Sequence, residues 1–200
     1  HFVALLKDHP WFRLTWVAAS ERSAGKRYGD MPWRLATPLP DAAANLTVAP
    51  LEAIDEAPSL LFSGLDASVA GEAEIAFARS GRTVVSNARN HRMDPLVPLL
   101  IPEVNADHLA LLEPQRQAKG WTGAIVTNPN CSTVVIAMVL GALRQFEPSR
   151  IVVTTMQALS GAGYPGVASL DALGNVHAAL QFERRNDFVG RHPGFAFRVF

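Results

Sequence analysis

The sequence predicts an α/β fold built on a parallel sheet with crossover helices. Two observations carry this. Short apolar runs without inside–outside alternation recur at residues 59–63 (SLLFS), 83–86 (TVVS) and 124–127 (AIVT). Such runs suit strands buried on both faces. Helix-period segments lie between and after them, chiefly at residues 68–79 and 132–144, and that alternation marks βαβ units. A chain of 200 residues that is 48% hydrophobic can bury one large or two small cores.

The elements follow in order. Phe2, Leu5 and Leu6 with Lys7 and Asp8 read as the end of an amphipathic helix, closed by His9-Pro10. Residues 13–19 (RLTWVAA) are a strand candidate, and 20–30 (SERSAGKRYGD) form a polar, glycine-containing loop. Residues 33–50 are proline-rich and irregular, with a short strand at 46–49. The strand at 59–63 leads to the helix at 68–79, which Gly81 ends, and to the strand at 83–86. Residues 92–104 carry prolines and read as a long connection. Residues 106–118 read as helix, with Pro114 breaking or starting it. The strand at 124–127 precedes the helix at 132–144. A last strand is expected at 151–157, before a glycine-rich loop at 160–166.

Composition excludes several classes of function. Eighteen basic and 18 acidic side chains cancel, so nothing favours nucleic acid or an anionic membrane surface. The longest apolar run, residues 134–143, is too short to span a bilayer. No signal peptide is visible at residues 2–6. One cysteine leaves no internal disulfide and fits a reducing, cytoplasmic setting. No two histidines have metal-ligand spacing, so no metal is expected.

The chemistry centres on residues 127–133 (TNPNCST), where an apolar strand ends and an apolar helix begins. A helix start leaves backbone N–H groups without partners and carries partial positive charge. That setting favours a thiolate and can hold an oxyanion beside it. Cys131 thus reads as a nucleophile for acyl transfer, with Asn130 as helix cap; the plainer reading is a buried cysteine acting as a small hydrophobe. In a dinucleotide fold the loop after the second strand meets the adenosine ribose. Ser20, Arg22, Ser23 and Lys26 would supply donors there for a 2′-phosphate, with Glu21 opposed; a solvated turn is the alternative. Residues 86–92 (SNARNHR) also follow a strand, and the arginines could bind phosphate bidentately; a solvated loop is the alternative. Gln157 could orient a carbonyl or satisfy buried backbone, and the glycines of 160–163 (SGAG) would permit close approach of a ligand or simply form a turn.

Four long stretches resemble one family: 18–30 (AASERSAGKRYGD), 84–108 (VVSNARNHRMDPLVPLLIPEVNADH), 127–134 (TNPNCSTV) and 157–176 (QALSGAGYPGVASLDALGNV). Their order and sequence resemble aspartate-semialdehyde dehydrogenase of the fungal/archaeal type. The resemblance implies reductive dephosphorylation of L-aspartyl 4-phosphate with NADPH, a step toward lysine, methionine and threonine. It implies Cys131 as the thioester-forming nucleophile, Asn130 and Gln157 as substrate-positioning residues, and Arg89 or Arg92 as phosphate anchor. Ser20, Arg22 and Ser23 would surround the NADP 2′-phosphate. Leu65, Ser86 and Asn87 would line the cofactor cleft. Ser160, Gly161 and Gly163 would meet the nicotinamide half. The implied partners are the acyl phosphate and phosphate, in a homodimer or homotetramer.

The implied fold is a Rossmann-type parallel sheet lacking its first strand, followed by the start of an α+β catalytic domain. The expected division is a cofactor-binding domain at 1–130, the beginning of the catalytic and dimerisation domain at 131–176, and an aberrant tail at 177–200. The glycine-rich phosphate loop that opens the family is not found. The family's catalytic histidine has no counterpart, for His177 and His192 lie outside any matching motif. Little turnover is therefore expected of the 200 residues alone. Two other readings remain: a malonyl- or succinyl-CoA reductase of the same scaffold, and a non-catalytic remnant.

Overall fold

A computed structural model describes residues 1–155. The chain divides after Asn130 into two units, His1–Asn130 and Cys131–Phe200. Gln157, Ser160, Gly161 and Gly163, along with the tail, lie outside the described residues.

The first unit runs through α1 (Phe2–Leu5), β1 (Val17–Ala19), α2 (Asp41–Ala44), β2 (Val48–Pro50), β3 (Leu60–Ser63), α3 (Ala67–Arg79), β4 (Thr83–Ser86), α4 (Pro102–Asn105), α5 (Leu112–Lys119) and β5 (Ala124–Thr127). All strand pairing within named strands is parallel, as expected. The strands form two sheets, β1–β2 and β3–β4–β5. In the first, Val17 pairs with Val48 and Ala19 with Pro50. In the second, the register is Leu61–Val84–Ile125 and, two residues on, Ser63–Ser86–Thr127.

Alternation then decides the core. Leu61, Val84 and Ile125 share one face of the sheet, and α3 lays Phe77 and Ala78 against them. Ala57 and Val97 complete the buried cluster, flanked by Trp16, Ile54 and Trp121. At the opposite end of the strands from Ser63 and Ser86, the guanidinium of Arg82 donates to three carbonyls, those of Ala57, Ser80 and Asp55. It ties the turn after α3 to the segment before β3. Gly81 makes that turn possible with a φ of 93°.

The outer edge of β5 is covered. Thr127 donates its N–H to Pro98 O at 2.8 Å and accepts from Leu100 N–H at 2.9 Å. Gln115 of α5 occupies the next position along the edge, donating to Ile125 O and accepting from Ile125 N–H. An exposed edge would invite pairing with another chain; here a connection and a side chain fill it.

Three elements differ from expectation. The strand expected over 13–19 is confined to Val17–Ala19, because only those residues meet a partner, β2. The helix expected over 106–118 begins as a 3₁₀ turn, Ala106–Leu111, and becomes α-helical at Leu112. Pro114 sits in the first turn of α5, where its missing N–H is not needed. Residues 151–155 carry no strand, since a strand needs a ladder partner and none lies among the described residues of that unit. There the described part is the helix α6 (Cys131–Leu143) and a 3₁₀ turn, Arg144–Phe146. Among the described residues, no helix is long and apolar enough to cross a membrane.

Candidate active site

The C-terminal ends of β3, β4 and β5 finish in one row of hydroxyls, Ser63, Ser86 and Thr127. In parallel α/β sheets, ligands bind just outside this end. The loops that leave it carry the expected site residues. After β3 come Gly64 and Leu65, the latter half-buried. Asp66 then caps α3 by accepting from the Ser68 N–H at 2.9 Å and its hydroxyl at 2.7 Å. The Ser68 backbone and hydroxyl bonds hold the Asp66 carboxyl below the usual carboxylate range, with the Arg89 charge adding to the effect.

After β4 the segment 86–92 is pinned at several points. Asn87 is exposed and donates its N–H to Ser63 O at 3.0 Å. Ser86 is fully buried, and its hydroxyl faces inward: it donates to Glu74 Oε1 at 2.8 Å and accepts from Ala88 N–H at 3.1 Å. The Ser86 side chain, expected at the cofactor cleft, shapes the loop that follows β4. Arg92 donates from Nη2 to Asn87 O at 3.0 Å, and Asn90 donates to Ala67 O at 2.9 Å. Arg89 is exposed and its charge bears on Asp66, whereas Arg92 is half-buried. The two arginines, equivalent in sequence, have different surroundings.

Sequence reasoning missed Glu74. It is 1% exposed on the core face of α3, and its Oε1 accepts from Ser63 at 2.5 Å as well as from Ser86. Its Oε2 faces His91 Nε2 at 3.6 Å. A glutamate at the apolar spacing of Ala70, Phe77 and Ala78 was the available signal.

The loop after β1 carries the other group of donors. It is folded by Ser23 N–H to Ser20 O (2.9 Å), Gly25 N–H to Val48 O (2.8 Å) and Lys26 Nζ to Arg22 O (2.8 Å). Ser20 and Arg22 are exposed, Ser23 is half-buried, and Glu21 is exposed beside them. This set fits a phosphate on a ribose 2′ position: a guanidinium and hydroxyls at a C-terminal strand end. Among the described residues, no group of three His, Cys, Asp or Glu side chains could hold a metal.

After β5, Asn128 donates its N–H to Ser86 O at 2.9 Å. Pro129 is buried and Asn130 exposed. Cys131 is the first residue of α6, a 13-residue helix, and is exposed with its thiol outside any disulfide. This is the helix-start position expected of a nucleophile, one residue earlier than the helix start read from sequence.

Comparison with known proteins shows which family the chain is similar to. The chain is 46% identical over 193 residues to an aspartate-semialdehyde dehydrogenase of Archaeoglobus fulgidus, covering 96% of this chain and 56% of that protein. It is 41% identical over 178 residues to a malonyl CoA reductase (NADP) of Metallosphaera sedula, covering 87% of this chain and 49% of that protein. Among solved structures, aspartate semialdehyde dehydrogenase with NADP from Candida albicans superimposes with a TM-score of 0.65 at 37% identity, over 73% of this chain and 43% of that one. The chain thus spans about half the length of the curated relatives it matches. Residues 1–112 match the family described as semialdehyde dehydrogenase, NAD binding domain. With parallel strands, loop donors at their C-terminal ends and that match over more than half its length, the chain belongs to the semialdehyde dehydrogenase family.

Proposed function

We propose that this chain carries the cofactor-binding unit and the nucleophile of an NADP-dependent enzyme converting L-aspartyl 4-phosphate to L-aspartate 4-semialdehyde. The observation that carries the reading is Cys131, an exposed thiol opening a 13-residue helix directly after the loop that follows β5. In this reading residues 1–130 bind the cofactor and residues 131–176 begin the catalytic domain.

The Cys131 thiolate attacks the acyl carbon of the phosphate anhydride. The carbon–oxygen bond to phosphate breaks, phosphate departs with the electron pair, and a thioester remains. Backbone N–H groups at the start of α6 are suited to donate to the oxyanion that forms on the way. Asn130 assists there, and Gln157 orients the acyl group. The nicotinamide, when bound, supplies the hydride that takes the thioester carbon to the aldehyde as the thiolate leaves. Ser20, Arg22 and Ser23 hold the 2′-phosphate, Leu65 and Asn87 line the cleft, and Ser160, Gly161 and Gly163 meet the nicotinamide half. Arg92 anchors the substrate phosphate in preference to Arg89. An anion at Arg89 would meet the carboxylate of Asp66, whose ionised form Arg89 already favours. A single cysteine kept as a thiol suits the cytoplasm, and assembly into a homodimer or homotetramer follows from the resemblance.

The test is NADPH formation from aspartate semialdehyde, phosphate and NADP⁺ by the full-length protein. Phosphate-dependent turnover is expected, and Cys131→Ala should remove it by roughly four orders of magnitude or more. Turnover with coenzyme A in place of phosphate would move the assignment to the acyl-CoA reductases. Retained activity in Cys131→Ala would overturn the mechanism.

A further inference from the structure

We propose that Glu74 is a positioning residue for the anion-binding segment 86–92: it accepts a hydrogen bond from the first residue and lies against the sixth. The proposal rests on the reaction proposed above and adds to it a residue far from Cys131 in sequence. Glu74 stands where α3 should be apolar, between Ala70 and Phe77 on the buried face. Burying a carboxylate is costly unless hydrogen bonds replace its water. The replacements here are specific. Oε1 accepts two hydroxyl protons, from Ser63 at 2.5 Å and Ser86 at 2.8 Å. Oε2 faces His91 Nε2 at 3.6 Å, and neither of those two atoms has a hydrogen-bond partner among the described residues.

The consequence runs through Ser86. Its hydroxyl has one proton, and Glu74 takes it. That turns a lone pair toward Ala88 N–H, which donates to it at 3.1 Å. The turn this bond closes presents Asn87, whose carbonyl accepts from Arg92 Nη2 at 3.0 Å. At the far end, the residue before Arg92 is His91, and it lies against the other carboxylate oxygen. Glu74 thus touches the first and sixth residues of a seven-residue segment. The guanidinium expected to meet phosphate is the seventh. Removing the carboxylate leaves Ser86 free to rotate and the His91 end without its contact, so Arg92 loses its placement while remaining charged.

The experiment measures kinetics of the full-length protein with aspartate semialdehyde, phosphate and NADP⁺. Glu74→Ala should raise the KM for phosphate about tenfold, the effect of losing one charge-assisted hydrogen bond. The kcat should stay within about twofold of wild type, and the KM for NADP⁺, whose cleft Asn87 lines, should rise less than that for phosphate. Glu74→Gln keeps an acceptor for both hydroxyls and should restore the phosphate KM to within about threefold. In an Arg92→Ala background, Glu74→Ala should add little, because the two act through one contact. If Glu74→Ala does not fold, Ser86→Ala interrupts the same relay and should raise the phosphate KM in its place. An unchanged phosphate KM in the folded variant, or full multiplication of the two effects, overturns the proposal. If the wild type shows no phosphate-dependent turnover, the reaction assignment fails by itself. Amide hydrogen exchange then decides the role of Glu74. Faster exchange confined to residues 86–92 in Glu74→Ala, restored in Glu74→Gln, supports it, and unchanged exchange overturns it.

Discussion

The side-chain amide of Gln115 pairs with both backbone polar groups of Ile125: Ile125 N–H donates to Oε1 at 2.7 Å, and Nε2 donates to Ile125 O at 3.0 Å. The same Nε2 lies 3.0 Å from Leu96 O. One side chain thereby acts as a short stretch of strand, closing the edge of β5 and fastening it to the connection from β4. Both residues are fully buried, so neither end of the pair can turn to water.

Gln115→Ala should therefore destabilise the protein by about 2–4 kcal/mol, since it strands a buried N–H and carbonyl together. Gln115→Glu turns a carboxylate oxygen toward the Leu96 and Ile125 carbonyls in a buried site, and should destabilise at least as much as alanine at pH 7. Urea unfolding followed by circular dichroism measures both, and equal stability of all three would remove the edge-closing role.

Gly123 sits where backbone crowds from two sides. A Cβ there would lie 2.6 Å from Arg82 N, 2.7 Å from Ala78 O and closer still to Arg82 O. These are backbone atoms of the last turn of α3 and of the turn that joins it to β4, and cannot yield as a flexible side chain would. Gly123→Ala should cost about 3 kcal/mol or more. Gly120→Ala should cost only about 1 kcal/mol, for the strain of a left-handed residue at the end of α5 with open space around it. Thermal melts of the two variants should rank them in that order.

Acid should loosen the connection between β4 and β5. At Asp94, burial pushes the carboxyl up, but it is outweighed by the Lys119 ammonium at 2.8 Å, the Leu96 N–H at 2.9 Å and the charges of Lys119 and His91. The net effect holds the carboxyl below its ordinary value. The stability it contributes is therefore complete above the unfolded value, about pH 4. That contribution is lost as the pH falls through the lower folded value. Asp66, depressed by the Ser68 bonds, acts in the same direction. Asp94→Asn should lower stability at pH 7 and flatten its decline between about pH 4 and pH 2. A chemical-denaturation series across that range checks it; an unchanged slope would count against the Asp94–Lys119 pair.

Cofactor preference should reside in the loop after β1. Arg22→Ala should lower kcat/KM for NADP⁺ about tenfold while leaving that for NAD⁺ nearly unchanged, as expected for loss of one guanidinium–phosphate contact. Parallel loss with both cofactors would place Arg22 elsewhere than at the 2′-phosphate.

Much of the fold was legible because its signals are local. Two strands of the larger sheet, 83–86 and 124–127, have the same bounds in both readings, the strand read at 59–63 begins one residue later in the structure, and α3 ends at Arg79 in both. Where the readings diverge, the missing information was a partner. Residues 13–16 have the composition of a strand, yet β2 offers only three residues to pair with. Residues 151–155 have the same composition and meet no ladder among the described residues. Within the candidate site, Cys131 was found from its place between an apolar strand and an apolar helix. Arg89 and Arg92 could not be told apart, for the difference lies in Asp66, which approaches Arg89 only in space, and in the fold of the loop that sets Arg92 on the Asn87 carbonyl.

From sequence alone came the parallel α/β class, the order of the elements and the cysteine at a helix start, all of which follow from periodicity and residue type over a few neighbouring positions. Tertiary structure alone decided that Glu74 goes into the core, that Ser86 turns its hydroxyl inward and that Gln115 closes a sheet edge. A polar side chain in a sequence looks the same whether it faces water or lies in a core. Which it does depends on hydrogen-bond partners ten or more residues away, and only folding brings those within reach.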